Sequence, residues 1–331
     1  MKTVVQVIGG EMLHATAYKL TVYGLSMAAM HPSWSPSILW CGLNEYISSD
    51  KIPAGCRVIA TPTTGLTHID LDAAKARGIT VLSLQGSDLT DVWATAEHTI
   101  GLILALLRKI PAAVEHVREG GWDRDKFRGT ELRGKKAAVI GCGRVGNQVM
   151  QLLQAFGVQC AGSWSDEGTA RIVGDADIVC LHENYEPSKR GKYGQAFFES
   201  LKVGAVFVNT ARGELVDETV LWNALRAGHV GGAALDVLAD EHQRAIVTHY
   251  DLSPEQRQRM RADWEKIQRD STHCGTIVLD TGMQVREVKN IPPDIGNVIV
   301  TPHLGGCTYE SQAKTELILA DKLIEWWKEN A

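Results

Sequence analysis

Between residues 136 and 301 the chain alternates short apolar runs with segments of helical period, and no other feature constrains the fold as strongly. The runs fall at 136–140, 158–162, 177–181, 205–209, 232–236 and 297–301. Runs of this length are too short for helices, and their largely unbroken apolar character is that of strands buried on both faces. Between the first two, Val149, Leu152, Leu153 and Phe156 recur at i, i+3, i+4 and i+7, and Gly157 stops the helix. A second helical pattern covers 218–227 and ends at Gly228. Six strands separated by helices predict an α/β fold with a doubly wound parallel sheet. The chain has 331 residues, enough for a second domain. Strand patterns at 4–8, 38–41 and 57–60, and a helix over 72–77 before Gly78, predict a smaller α/β domain in the first hundred residues. An apolar helix over 95–108 is expected to link the two, and an amphipathic helix over 310–329 to pack on one of them.

The loop after the first run of the larger domain, Gly141-Cys-Gly-Arg-Val-Gly146, matches G-x-G-x-x-G. Alone the pattern is weak, but here a strand precedes it, a helix opens from it and a second strand follows within the length of a βαβ unit. Gly141 permits the tight turn, Gly143 lets a pyrophosphate approach the backbone, and Gly146 lets helix and strand sit close. Arg144 and Val145 complete the loop, and the helix N-terminus offers N–H groups and a positive dipole end to an anion. The acidic residue expected at the end of the second strand is missing. Trp164 stands there, Asp166 follows, and no Lys or Arg lies between Cys160 and Ala170 to meet a 2′-phosphate, so NAD is expected rather than NADP.

The net charge is −5 with no cationic block, which argues against nucleic acid as a partner. The longest apolar stretch, 99–107, is too short to span a bilayer. Seven cysteines at irregular spacing predict reduced thiols and a cytoplasmic location. His273 and Cys274 have no further ligands nearby, so no metal site is expected.

Four ordered blocks resemble the D-isomer-specific 2-hydroxyacid dehydrogenases, over about residues 57–313. They are Gly121-Trp-Asp-Arg-Asp-Lys-Phe-Arg-Gly-Thr-Glu-Leu-Arg-Gly134, Asn209-Thr-Ala-Arg-Gly213, Ala234-Leu-Asp-Val237 and Thr301-Pro-His-Leu-Gly-Gly306. The first looks most like the phosphoglycerate dehydrogenase branch. The resemblance implies a Rossmann NAD-binding domain over 96–305 and a flavodoxin-like substrate domain over 1–95, completed by the helix within 310–331. It implies that Arg212 binds the substrate carboxylate and orients the 2-oxo group, that His303 exchanges a proton with the substrate oxygen, and that Glu241 orients His303. Thr64 and Gly65 match the loop whose N–H groups receive the carboxylate. Asp236 is expected near the nicotinamide carboxamide and His182 near the adenosine half of the cofactor, with Thr210, Ala211 and Gly305 along its path. The implied activity is hydride transfer between NAD(H) and a small 2-hydroxy or 2-oxo acid, in a homodimer.

The chain departs from the family pattern in places. His242 replaces a proline after Glu241, Thr67 replaces an aspartate in the carboxylate loop, and no Arg near residues 61–64 is available for a substrate phosphate. The stretch 242–290 is an unusually long insertion in which Ser253-Pro254-Glu255-Gln256 reads as a helix start, expected as a surface decoration. Some relatives bind peptides as NAD-sensing corepressors, which leaves a non-enzymatic alternative.

Overall fold

The computed structural model describes residues 3–8, 12, 14–22, 25–27, 36–43, 46–241 and 296–330. His242, the 242–290 insertion with its Ser253 helix start, and the pair His273 and Cys274 lie outside the described residues.

The first part of the chain forms β1 (Thr3–Ile8), α1 (His14–Val22), β2 (Leu25–Met27), β3 (Ile38–Cys41), β4 (Val58–Ala60), α2 (Leu71–Ala76) and β5 (Thr80–Leu82). Its strands make a parallel sheet in the order β2-β1-β3-β4-β5, a flavodoxin-like order. From α3 (Ala94–Leu107) and α4 (Ile110–Arg118) the chain enters the second part. This comprises β6 (Lys136–Ile140), α5 (Arg144–Ala155), β7 (Gln159–Ser163), α6 (Asp166–Val173), β8 (Ile178–Leu181), α7 (Gln195–Ser200), β9 (Ala205–Asn209), α8 (Glu218–Arg226), β10 (Val230–Leu235) and β11 (Val298–Val300). The last helix is α9 (Tyr309–Asn330). The second sheet is also parallel, in the order β11-β10-β9-β8-β6-β7.

Strand period decides what each sheet face buries. In the first sheet Ile38, Trp40, Val58 and Ala60 face a core shared with Leu319, Ala320, Leu323 and Ile324 of α9. The alternate residues Leu39, Cys41 and Ile59 face the opposite core with Ile47, Ile69 and Ala74. The terminal helix therefore packs on the first sheet, although it follows the second in sequence. Lys314 and Lys322 fix its register through Asp91 (2.7 Å) and Asp88 (2.6 Å), just ahead of α3. α3 buries Ala96, Ile100, Ile103 and Leu106 in the second core, against Val139, Val149, Ile178 and Val208.

In the second sheet β6 pairs with β7 on one side and β8 on the other. The winding direction reverses there, and open α/β sheets bind ligands outside the strand C-terminal ends at such a point. The Gly141 loop leaves the end of β6, and His182 and Glu183 follow β8.

Candidate active site

The phosphate-loop geometry follows from its glycines. Gly141 has φ +87°, a conformation that disfavours any side chain. A Cβ on Gly146 would lie 2.2 Å from the Gly141 carbonyl oxygen, so only glycine lets α5 pack this close to the loop. Gly143 faces open space, and no side chain caps the start of α5. The neighbouring helices α6 and α8 are capped by Ser165 and Asp217. The first turn of α5 thus keeps its donors for an anion. Arg144 turns away from this face, donating to the Val92 carbonyl (2.6 Å) and Gln148 (3.3 Å), and Val145 packs against the core. Gly146→Ala is expected to cost about 1–3 kcal/mol by overpacking. It should weaken NADH binding together with thermal stability, as checked by fluorescence titration and thermal melts.

Trp164, just past β7, is 76% exposed. Next to it the structure adds a cation that local sequence did not suggest. Lys192 reaches Asp166 (2.7 Å) and both Glu183 oxygens (3.0 Å each), and Tyr193 also donates to Glu183. Asp166 and Glu183 both hold this lysine, and Glu183 also takes Lys189 at 3.2 Å, so Lys192 does not stand as an unpaired charge for a 2′-phosphate.

His182 directs Nδ1 to the Thr210 hydroxyl (3.4 Å), which in turn meets Thr99 (2.9 Å). Its Nε2 is shut off from solvent with no partner among the described residues, and burial pushes its pKa down to about 4, so the ring is neutral near pH 7.

Arg212 follows β9 in a turn closed by one residue. The Asn209 side chain accepts from Ala211 N (2.9 Å) and donates to the Arg212 carbonyl (3.0 Å). The guanidinium then lies against Gly65, where an added Cβ would be 1.5 Å from Nη2. Thr63 donates to the Gly65 carbonyl (2.7 Å) and Leu84 N to the Thr63 carbonyl (3.0 Å), which fixes that loop beside exposed Thr64. Burial lowers the Arg212 pKa, and the charges of Glu241 and Glu214 oppose that shift. A guanidinium remains protonated under such perturbation.

Glu241 ends a loop that packs tightly on this turn. A Cβ on Gly213 would fall 1.9 Å from the Leu238 carbonyl carbon. Glu218 accepts from Ala239 N (2.6 Å), Glu214 from Asp240 N (3.3 Å), and Arg190 grips the Asp240 carboxylate with both Nη groups. The Glu241 carboxylate then meets His303 Nδ1 at 2.5 Å. His303 has φ +56°. That conformation costs a non-glycine residue about 1–2 kcal/mol, and Asp236 offsets the cost. Asp236 is 1% exposed, and its carboxylate accepts from Leu304 N (2.7 Å), Gly305 N (2.8 Å), Thr301 Oγ1 (2.6 Å) and His98 Nε2 (3.1 Å). Burial alone would raise its pKa; these donors outweigh burial and hold it below the usual carboxylate range.

Residues from four separated segments are thus linked in one chain of contacts, from Gly65 to Arg212, by charge to Glu241, and on to His303. The profile of the D-isomer specific 2-hydroxyacid dehydrogenase NAD binding domain matches residues 100–305, more than half of the chain. The chain belongs to the D-isomer-specific 2-hydroxyacid dehydrogenase family. The phosphate loop, Arg212, Asp236, Glu241, His303 and Gly305 of this family member lie inside the match; Thr64 and Gly65 lie before it. D-3-phosphoglycerate dehydrogenase of Archaeoglobus fulgidus is 32% identical over 285 residues, which are 82% of this chain and 45% of that protein. The enzyme of the same name from Rattus norvegicus is 36% identical over 61% of this chain and 41% of its own length. The chain spans less than half the length of these relatives. The fold is that of D-lactate dehydrogenase from Aquifex aeolicus, solved with NAD and lactic acid (TM-score 0.69, 20% identity, 99% and 96% of the two chains covered). The NAD of this domain fits the uncapped α5 turn, the open face at Gly143 and the His182 Nε2 that has no partner among the described residues. Sequence reasoning missed His98, Asn209 and Lys192. The first two support site residues from within ordinary helix and strand patterns, and the third lies 26 residues beyond the fold position it reaches, at Asp166.

Proposed function

We propose that the chain is an NAD-dependent dehydrogenase of a small 2-hydroxy or 2-oxo acid, of the phosphoglycerate, glycerate/hydroxypyruvate or glyoxylate type. The observation that carries this reading is the guanidinium of Arg212 seated on the backbone of Gly65, on the same chain of contacts as the Glu241–His303 pair. A planar fork beside the Thr64–Gly65 backbone suits a carboxylate with an adjacent oxo group. His303, held through Nδ1 by Glu241, has Nε2 left to exchange a proton with the substrate oxygen. Arg212 stabilises charge developing on that oxygen. When bound, NAD supplies or receives the hydride. The loops carrying Thr64 with Gly65 and Arg212 come from the first and second sheets, which supports a division into a substrate domain (1–95, completed by 310–331) and an NAD-binding domain (96–305). NADH oxidation with a panel of 2-oxo acids tests the reading. Turnover of glyoxylate or hydroxypyruvate is expected; tight NADH binding without turnover of any acid, phosphorylated ones included, would favour a nucleotide-sensing role instead.

NAD is the cofactor of the domain, and we infer that NADPH binds several-fold more weakly, since Asp166 and Glu183 surround Lys192. Titration of both nucleotides checks this, and tighter NADPH binding would contradict it.

A homodimer is supported by α4, whose Ile110, Val114 and Val117 recur at i, i+4 and i+7 on an exposed face, with Trp122 90% exposed beyond it. Val114→Glu is expected to shift the protein from dimer to monomer in light scattering, and an unchanged mass would refute this surface. A cytoplasmic location is supported by the free thiols of all six described cysteines. No described helix is long and apolar enough to cross a membrane.

A further inference from the structure

Three consecutive backbone N–H groups, those of His303, Leu304 and Gly305, all donate to one residue, Asp236. The first meets its carbonyl oxygen (2.8 Å), the second Oδ1 (2.7 Å) and the third Oδ2 (2.8 Å). Gly305 is held so closely that a Cβ there would lie 3.0 Å from Oδ2. This grip keeps His303 in its left-handed conformation, with Nδ1 on Glu241. Thr301, which also donates to Oδ1, belongs to the same segment. Among the described contacts to the carboxylate, His98 alone comes from elsewhere, from α3, whose neighbours Ala96 and Ile100 are anchored in the second core.

Which ring nitrogen of His98 carries the bonding hydrogen follows from its partners. An ionised carboxylate only accepts, so Nε2 must carry the hydrogen. The Thr301 hydroxyl spends its proton on Asp236 Oδ1 (2.6 Å) and so receives the same N–H at 3.2 Å. One imidazole N–H therefore straddles Asp236 and Thr301 and ties the strand end to a helix fixed in the core. A buried carboxylate without this tie keeps its backbone donors but loses its lateral restraint.

We propose that His98 is a positioning residue for the proton-transfer step: through Asp236 it fixes the 303–305 turn and thereby the pairing of His303 with Glu241. It touches neither substrate nor the reacting atoms. The inference rests on the dehydrogenase reading for its kinetic consequence, but its structural half can be read in the protein without cofactor or substrate.

The test uses the full chain with ¹⁵N-labelled histidine, the His303 signal being assigned by its loss in His303→Gln. Wild type is expected to show a single tautomer with the hydrogen on Nδ1, facing Glu241. His98→Leu is expected to give an averaged, mixed-tautomer signal, and His98→Gln, which retains a side-chain N–H donor, to restore most of the wild-type pattern. In turnover, His98→Leu should lower kcat by roughly ten- to hundredfold, the scale of a small misplacement of a catalytic group. The KM for NADH should stay within about twofold. An unchanged His303 signal in folded His98→Leu would overturn the proposal. So would a loss of NADH affinity with kcat intact, which would place the His98–Asp236 pair at the cofactor instead. If His98→Leu fails to fold, Thr301→Val removes the second partner of the same N–H and must show the mixed signal; a wild-type signal there counts against the proposal. If the His303 signal moves as expected but wild type reduces no 2-oxo acid, the positioning stands and the dehydrogenase reading fails.

Discussion

His303→Gln is expected to lower kcat by roughly 10²–10⁴, the usual contribution of a positioned general acid/base. The reduced oxo group must take a proton as hydride arrives, and an amide cannot deliver one. The substitution should leave the rest of the site standing. The 303–305 turn is held by backbone donors to Asp236, and these do not depend on the side chain at 303. NADH affinity and melting temperature should therefore change little, so that the loss falls on kcat. Glu241→Gln should give a smaller loss of the same kind, since the 2.5 Å contact to Nδ1 orients the ring without itself moving the proton. A His303→Gln protein turning over at near wild-type rate would remove His303 from the chemistry.

Gly65→Val is expected to abolish most of the activity while leaving the fold and the cofactor site intact. A Cβ at this position would sit 1.5 Å from Arg212 Nη2. The obstacle is the end of a long side chain, so the guanidinium swings away and the backbone need not move. The protein then loses the seat of the cation at the proposed carboxylate position. A hydrogen bond to a charged group contributes about 1.5–3 kcal/mol, so kcat/KM should fall by roughly 10–150-fold for each such hydrogen bond removed. Arg212→Ala should fall at least as far. The two changes act on one interaction, so the double variant should be no worse than Arg212→Ala alone, a non-additivity that double-mutant cycles detect. Additive losses would mean that Gly65 serves the substrate independently of Arg212.

Much of this was legible in the sequence because the second sheet is built from buried parallel strands. Runs at 136–140 and 205–209 are apolar but for Lys136 at one end and Asn209 at the other, and coincide with β6 and β9. The first sheet was harder to read. β2 and β5 have only three residues each, too few to establish a period of two, and went unread. The placement of α9 was open because an amphipathic stripe states that a core exists without stating which one. Within the site, Arg212, Glu241 and His303 were found by resemblance, and their supports were not. His98 reads as one of several polar residues in the first turns of an otherwise apolar helix, and Asn209 as the last residue of a strand. The Lys192 contact joins the first residue of α6 to the segment that follows β8, which no local window contains.

The most direct test of the carboxylate clamp compares a small 2-oxo acid with its own amide under saturating NADH. The two differ little in size and in the reactivity of the oxo group, and chiefly in the charge presented to Arg212 and the Gly65 loop. The clamp predicts that the acid is reduced at least about tenfold faster in kcat/KM, the equivalent of one charge-assisted hydrogen bond, and that Arg212→Ala erases the difference. Equal rates for acid and amide in the wild-type protein would contradict the clamp and the 2-hydroxy acid reading built on it.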